Sequence, residues 1–310
     1  MSNETSLDGK NAVVTGAGAG LGRSEALALA RQGANVVVND IGEKADEVVA
    51  EIKALGRDAI AVKGDVSDWK FAAGLVDAAV DTWGSLDILV NNAGVLRDTV
   101  LFNMTEDMWD DVIRVHLKGH AATSTHAAKY WRAKGKAAPD QKIFGRVINT
   151  SSEAGLFGSG GQPNYSAAKA GITALTLSTS QALAKYGVTA NVIAPRARTE
   201  MTSHVFAEDP NDNSTDILSP DRVGDFVAYL ASPAAQKVNG QLFVVYGKFV
   251  ALLKPAEVEK RFDAAGDIFT VDELAEQFQP YFADRSPYQT FAAYSLAKLD
   301  DTGVQNLQAR

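Results

Sequence analysis

The sequence predicts an α/β fold: a single doubly wound, Rossmann-type domain with a mostly parallel, seven-stranded sheet, followed by a helical C-terminal extension. Three observations carry this. Short, continuous β-branched runs alternate with longer stretches of helical periodicity, as expected of strands covered on both faces. A glycine-rich turn, Thr15-Gly16-Ala17-Gly18-Ala19-Gly20-Leu21-Gly22, joins the first run to the first helical stretch. Asp40 closes the second run, about 20 residues after the glycines, where dinucleotide-binding folds place a carboxylate.

The elements follow in order. Residues 11–15 (NAVVT) form a buried strand, 21–32 an alanine- and leucine-rich helix, and 34–40 (ANVVVND) a second strand. A helix at 43–55, a strand at 58–63, a helix at 68–83 and a fourth strand at 86–90 complete the first half. The alternation continues with a helix over 105–133, a strand at 145–150 (GRVINT), a long helix over 163–186 and a strand at 188–193 (VTANVI). Residues 195–218 are polar and predict a mobile loop, and a helix at 220–231 and a strand at 241–246 close the sheet. The catalytic domain therefore spans 1–250. Residues 251–310 form the extension, with helices at 255–263 and 271–282, packing on the domain or on a partner subunit. Neither an internal repeat nor a low-complexity linker interrupts the chain.

Composition removes several classes of function. The 310 residues carry a net charge of −8, which argues against a nucleic-acid partner, since phosphate neutralisation needs clustered Lys and Arg. There is no cysteine, so disulfides, thiolate catalysis and Cys-ligated zinc are excluded. The four histidines form no metal-binding spacing; His120 and His126 fall on opposed helix faces and have structural roles. The polar N-terminus has no apolar signal-peptide region, and no stretch reaches the ~18 apolar residues of a membrane span. The expectation is a cytoplasmic protein with no membrane partner.

The glycine turn lets main chain approach a pyrophosphate, and the helix N-terminus behind it favours negative charge. Asp40 accepts hydrogen bonds from the adenosine ribose and repels an extra 2′-phosphate. No Arg or Lys occupies the three positions after it, so NAD is expected rather than NADP. Asp40 could equally cap the following helix, and both roles are compatible. Asp65-Val66 follows the third strand and is placed to meet the adenine. Asn91-Asn92-Ala93-Gly94 follows the fourth, at the carboxyl edge of the sheet bordering the cofactor crevice.

Tyr165 and Lys169 are four residues apart near the start of the long helix, hence on one face, one turn apart. A neighbouring ammonium and a cationic nicotinamide ring would lower the phenol's pKa, allowing Tyr165 to exchange a proton with a substrate hydroxyl. Ser152, thirteen residues ahead of Tyr165, places a hydroxyl at a strand end where it can hold the substrate oxygen. Ser151 reads as turn chemistry.

Together, TGxxxGxG, NNAG, the serine and YxxxK, in this order and spacing, resemble the short-chain dehydrogenase/reductase family over residues 8–250. The resemblance implies Ser152, Tyr165 and Lys169 as catalytic residues, with Lys169 also holding the nicotinamide ribose. It implies Gly16, Gly20, Leu21, Gly22, Asp40, Asp65, Val66, Asn92, Ala93, Gly94, Pro195 and Thr199 as cofactor contacts. Two positions depart from the family pattern. His116 stands where the family has an asparagine whose main-chain carbonyl holds a water linking the lysine to solvent. Three roles stay open for it: a water relay on its own carbonyl, proton transfer by the imidazole, or structure alone. Pro195-Arg196 replaces Pro-Gly.

NNAGVLRD, RVHLKG, PNYSAAKAG and the VVVND strand further resemble the (3R)-hydroxyacyl-CoA dehydrogenase domain of multifunctional enzymes type 2. That implies oxidation of a 3-hydroxyacyl-CoA or a steroid alcohol, and a homodimer or homotetramer. The chain has no hydratase-like second half, and 133–144 and the segment after 250 differ. Arg196 and Arg198 either meet a CoA phosphate or are solvated loop residues; on the first reading, Arg196→Ala raises KM for an acyl-CoA alone. Two alternatives remain: a 3-oxoacyl-carrier-protein reductase, which Asp40 disfavours, and a non-catalytic NAD sensor, which has no need of Ser152, Tyr165 and Lys169 together.

Overall fold

The computed structural model describes residues 4–199, 216–254 and 256–285. Its strands are β1 (Asn11–Thr15), β2 (Asn35–Asp40), β3 (Ala59–Lys63), β4 (Ile88–Asn91), β5 (Gly145–Thr150), β6 (Val188–Arg196), β7 (Leu242–Tyr246) and β8 (Phe249–Leu252). They form one sheet in the order β3-β2-β1-β4-β5-β6-β7-β8, parallel except for the β7–β8 pair. The order reverses between β1 and β4, creating the crevice where such folds take their ligands.

The sheet thus has eight strands, not seven. The extra one is a hairpin: Tyr246 pairs with Phe249 across Gly247-Lys248, and Gly247 takes φ +54, the left-handed conformation a two-residue turn needs. β8 lies across the domain boundary expected at 250. The chain divides into two compact units, Met1–Leu253 and Lys254–Arg310.

The helices of the first unit are α1 (Gly20–Gln32), α2 (Lys44–Ala54), α3 (Trp69–Trp83), α4 (Glu106–Val112), α5 (Gly119–Ala137), α6 (Glu153–Phe157), α7 (Pro163–Leu183) and α8 (Pro220–Ala231). Their limits follow local chemistry. Asp68 caps α3 by accepting from the N–H groups of Lys70 and Phe71, and Gly84 ends it in the left-handed region. Pro163 and Pro220 open α7 and α8 at positions that need no N–H donor. α1 and α8 cover one face of the sheet with Val14, Val36, Val38, Ile148 and Ile193. α3 and α5 cover the other with Val13, Val37, Leu89 and Val147. Alternate residues of each strand therefore face opposite cores.

The helix expected over 105–133 is interrupted: Ile113–Lys118 is a π-helical turn between α4 and α5, and α5 continues to Ala137, past the end expected at 133. In the second unit, α9 (Val271–Phe282) forms where expected, capped by Thr270. The helix expected at 255–263 does not: residues 256–264 are irregular, and Val258 is exposed. A helix of that length needs a buried face to persist. Among the described residues no helix is long and apolar enough to cross a membrane, and no three acidic or histidine side chains gather to hold a metal.

Candidate active site

The glycine-turn end of the crevice is built from main chain. Gly16 (φ +61) and Gly20 (φ +55) adopt left-handed conformations, open to glycine at little cost. A Cβ on Gly22 would lie 2.2 Å from the Gly16 carbonyl oxygen and 2.6 Å from Asn92 Nδ2, so only glycine lets α1 start this close to β4. A Cβ on Gly16 would meet the Ala93 backbone at 2.8 Å. Asn92 fastens the turn by donating from Nδ2 to the carbonyls of Thr15 (3.3 Å) and Gly16 (3.2 Å). Thr15 Oγ1 accepts from the N–H groups of Asn92 and Ala93. No side chain caps α1, and its first turn holds no acidic residue. Its leading N–H groups therefore fit a pyrophosphate. Thr199 lies over the turn, 3.3 Å from where a Gly20 Cβ would stand.

Asp40 stands at the end of β2. Its Oδ2 accepts from Gly18 N–H (2.9 Å) and its Oδ1 from Gly42 N–H (3.0 Å). It does not cap α2, whose N-cap is Glu43. Instead it ties the glycine turn to β2, with lone pairs left for a ribose. Asp65 is engaged by the Arg114 guanidinium, which also donates to Ser67 Oγ. Burial pushes its carboxyl up, but hydrogen bonds from the Ser67 hydroxyl and N–H, then from Arg114, outweigh it and hold the group below the usual carboxylate range. The Val66 side chain is buried in the core, 2.9 Å from where a Gly119 Cβ would lie. Asp65 is thus a salt-bridge partner and Val66 part of the core.

At the other end, Ser152, Tyr165 and Lys169 converge. Ser152 caps α6, a short helix absent from the sequence reading, through Ala154 N–H (3.2 Å). Gly155 brings α6 onto α7, since a Cβ there would stand 2.6 Å from Lys169 Cβ. Tyr165 is half-buried by surface area, yet its hydroxyl is enclosed enough for burial to push it up to about 12. The hydrogen bond with Ser152 opposes that shift. Lys169 is buried, donates to the Thr150 carbonyl at 2.6 Å, and has Nζ 5.4 Å from the Tyr165 ring centroid. Burial pulls its pKa down, and Glu25 opposes this. Ser151, expected to serve a turn, instead ties β5 to α7 through the Lys169 carbonyl (2.9 Å) and Thr173 Oγ1 (3.0 Å).

His116 lies in the π-helical turn. Its ring meets Tyr165 edge-on, centroids 5.2 Å apart. Nε2 faces both Val95 N–H (3.0 Å) and Val95 C=O (2.8 Å), and a Cβ on Gly94 would collide with the ring at 2.1 Å. Burial, then the Lys169 charge, hold the imidazole well below its ordinary pKa, so it is neutral at physiological pH. His120, one turn on, is pushed down to about 3 by burial and Lys169, against hydrogen bonds with the backbone of His116 and Asn91. His126 sets its ring edge on Trp69.

Two features escaped sequence reasoning. Buried Asn164 donates to the carbonyls of Arg97 (3.1 Å) and Met108 (3.0 Å) and accepts from Tyr165 N–H, locking the segment after β4 onto the start of α7. The signal was the asparagine directly before the tyrosine. Glu153 and Arg196 form a bidentate ion pair whose side chains are only 11% and 13% exposed. Arg196 also lies over the Tyr246 ring at 5.4 Å. β6 extends through Pro195 and Arg196, which pair with β7 alone. Arg196 is thus not a solvated loop residue, and Glu153 engages its guanidinium. Arg198 pairs with Asp216 at 2.8 Å.

The sequence model of the short chain dehydrogenase family matches residues 10–210. A hydroxyacyl-CoA dehydrogenase, ChsB1, of Mycobacterium tuberculosis is 54% identical over 96% of both chains. The peroxisomal hydratase-dehydrogenase-epimerase of Neurospora crassa is 39% identical over 82% of this chain, which spans only 28% of that longer protein. The 3-oxoacyl-[acyl-carrier-protein] reductase FabG of Staphylococcus aureus is 40% identical over 77% of this chain and 97% of its own. A short chain dehydrogenase from Mycobacterium avium superposes with a TM-score of 0.82 at 43% identity, covering 92% of this chain and 99% of its own.

Proposed function

The chain belongs to the short-chain dehydrogenase family, an oxidoreductase acting on CH–OH groups, and within it we propose an NAD-dependent enzyme that interconverts a 3-hydroxyacyl-CoA, or a steroid alcohol, with its ketone. The match to a hydroxyacyl-CoA dehydrogenase over 96% of both chains carries this reading. NAD follows from Asp40, whose carboxylate would face a 2′-phosphate with like charge.

The residues at the crevice fit a nicotinamide dinucleotide. Gly16, Gly20, Leu21 and Gly22 would take its pyrophosphate, Asp40 its adenosine ribose, Asn92, Ala93 and Gly94 the middle of the crevice, and Pro195 and Thr199 the carboxamide side. Asp65 and Val66 would line the adenine through their main chain. When bound, the dinucleotide supplies hydride transfer and, oxidised, a positive ring. Ser152 holds the substrate oxygen. Tyr165 Oη takes the substrate hydroxyl proton in oxidation and returns it in reduction. Lys169 holds the nicotinamide ribose, and its ammonium favours the phenolate against the burial that holds the phenol up near 12. His116 serves as a brace: a neutral ring clamping Val95 against the edge of Tyr165. We further propose a cytoplasmic homodimer or homotetramer.

The test is NAD reduction with 3-hydroxyacyl-CoAs of varied chain length, steroid alcohols and sugar alcohols, repeated with NADP. Turnover of a 3-hydroxyacyl-CoA or a steroid alcohol with NAD is expected. Activity confined to NADPH and carrier-protein thioesters would overturn it in favour of the reductase reading.

A further inference from the structure

Glu25 is fully buried in α1, and neither of its carboxyl oxygens has a hydrogen-bond partner. Burying such a group unsatisfied is costly, and an aliphatic side chain of similar volume would fill the space without that cost. Its position gives the reason. Gly22 faces Asn92 at the end of β4, and Glu25, three residues on, lies one turn deeper on the same helix face. Ile148 of β5 packs in the core on the α1 side, so strand alternation turns Thr150 to that side as well. Thr150 Oγ1 is likewise buried without a partner. The carbonyl of the same threonine accepts from Lys169 Nζ at 2.6 Å, one of the three donors an ammonium offers.

Glu25 and the Thr150 hydroxyl therefore both belong to the core on the α1 side of the sheet, while Lys169 reaches the Thr150 carbonyl from α7. The two are electrostatically coupled: Lys169 is the charge that acts on Glu25, and Glu25 the charge that supports Lys169 against burial. The remaining charges near α1 are satisfied elsewhere. Arg23 pairs with Glu51 of α2, Arg31 with Asp225 of α8, and Asp221 of α8 accepts from Ser24 Oγ. On the lysine side the neighbouring titratable groups are His116, His120 and Tyr165, and the two imidazoles are neutral. The His116 carbonyl accepts from Gly119 N–H and bonds with the His120 ring, so the water relay of the family has competitors at its usual anchor.

We propose that Glu25 is a positioning residue for the reaction, its carboxyl group acting on the charge of Lys169 from the α1 side of the sheet. In one form the pair is carboxylate and ammonium. In the other, Lys169 has given a proton to solvent, Glu25 has taken one from solvent, and both are neutral. Net charge is the same in either form, and only the first presents a cation to Tyr165. The role rests on Lys169 acting as proposed above, but its test does not depend on the substrate.

In full-length protein carrying 15N-lysine, the Nζ resonance of Lys169, assigned by its loss in Lys169→Met, is followed with pH in wild type and Glu25→Gln. The amide matches the neutral acid in shape and cannot ionise. The lysine's titration midpoint should fall by at least about one pH unit, a tenfold change in its protonation equilibrium. Coupling is reciprocal. The protonated-carboxyl infrared band of Glu25, identified by its loss in Glu25→Gln or Glu25→Asp, should therefore persist to higher pH in Lys169→Met by a similar amount. Unchanged midpoints in both would overturn the proposal. Should Glu25→Gln fail to fold, the band is assigned with Glu25→Asp, and the Lys169→Met comparison decides alone. Failure of the acyl-CoA reading would appear as missing turnover with both titrations shifted as stated.

Discussion

The two ends of the crevice are made of different material. At the glycine turn, selectivity comes from main-chain donors and missing Cβ atoms: a Cβ on Gly22 would stand only 2.2 Å from the Gly16 carbonyl oxygen, and Asp40 uses two acceptor sites to fix Gly18 and Gly42. At Tyr165 it comes from enclosed titratable groups moved far from their ordinary pKa values: a phenol near 12, an imidazole near 3, and a lysine and a glutamate shifted towards neutrality. The first end depends on shape and should be insensitive to pH. The second is electrostatic, and any loss of a partner is paid in charge.

Substitutions can break or sharpen that contrast. The largest effect is expected of Tyr165→Phe, which removes the hydroxyl proposed to exchange the proton and leaves the glycine turn untouched. Turnover should fall by roughly 10³-fold, within the usual range for general acid–base residues, with NAD binding, read by fluorescence, unchanged; normal turnover would refute the assigned role. Arg196→Ala strands Glu153 in a nearly buried site, and losing one partner of such a pair costs about 3 kcal/mol or more. Because Glu153 adjoins Ser152, kcat should drop for acyl-CoA and small alcohols alike. A KM effect confined to acyl-CoA would restore the CoA-phosphate reading.

His120 gives a stability test. Its folded pKa, about 3, lies below the unfolded value near 6.5, so the unfolded chain binds more protons between the two. Stability is then present above pH 6.5 and is lost as pH falls towards 3. Urea unfolding at pH 5 should find wild type weaker than at pH 7 by up to about 2 kcal/mol from this group, and His120→Gln should remove that part of the slope. An identical slope in the variant would locate the acid sensitivity elsewhere. The smallest effect is expected of Asp40→Ser, which removes the carboxylate proposed to accept from the ribose and to repel a 2′-phosphate. The NAD-to-NADP preference, measured as the ratio of kcat/KM, should narrow by about tenfold, or about 1.4 kcal/mol. An unchanged ratio would mean that specificity does not reside at the end of β2.

The same contrast explains what could be read from the sequence. The glycine turn is legible because a missing Cβ is a property of the residue itself, and the strands are legible because continuous apolar runs have few other uses. The Ser152, Tyr165 and Lys169 positions were legible only through their spacing. Their electrostatics were not, because Glu25 in Ser24-Glu25-Ala26-Leu27 looks like any solvated helix position, and only the fold turns it inward. β8 was missed although Tyr246-Gly247-Lys248-Phe249 carries a two-residue hairpin signal, its strand being short and half exposed. Arg196 was misread because Glu153, its partner, lies 43 residues away in sequence and no local pattern joins them.

The π-helical turn at Ile113–Lys118 has a consequence for anyone comparing or rebuilding these chains. Such a turn consumes about one residue more than an α-helical turn, so the residues before and after it are out of phase by that residue. Arg114, which grips Asp65, and His116, whose ring meets Tyr165, both lie within this turn. Trimming the extra residue to regularise the helix would leave composition and length almost untouched, yet rotate α5 against everything upstream. A one-residue gap placed here in an alignment is therefore a change of rotational register, and grafts that join an upstream half from one relative to a downstream half from another should cross at a loop instead.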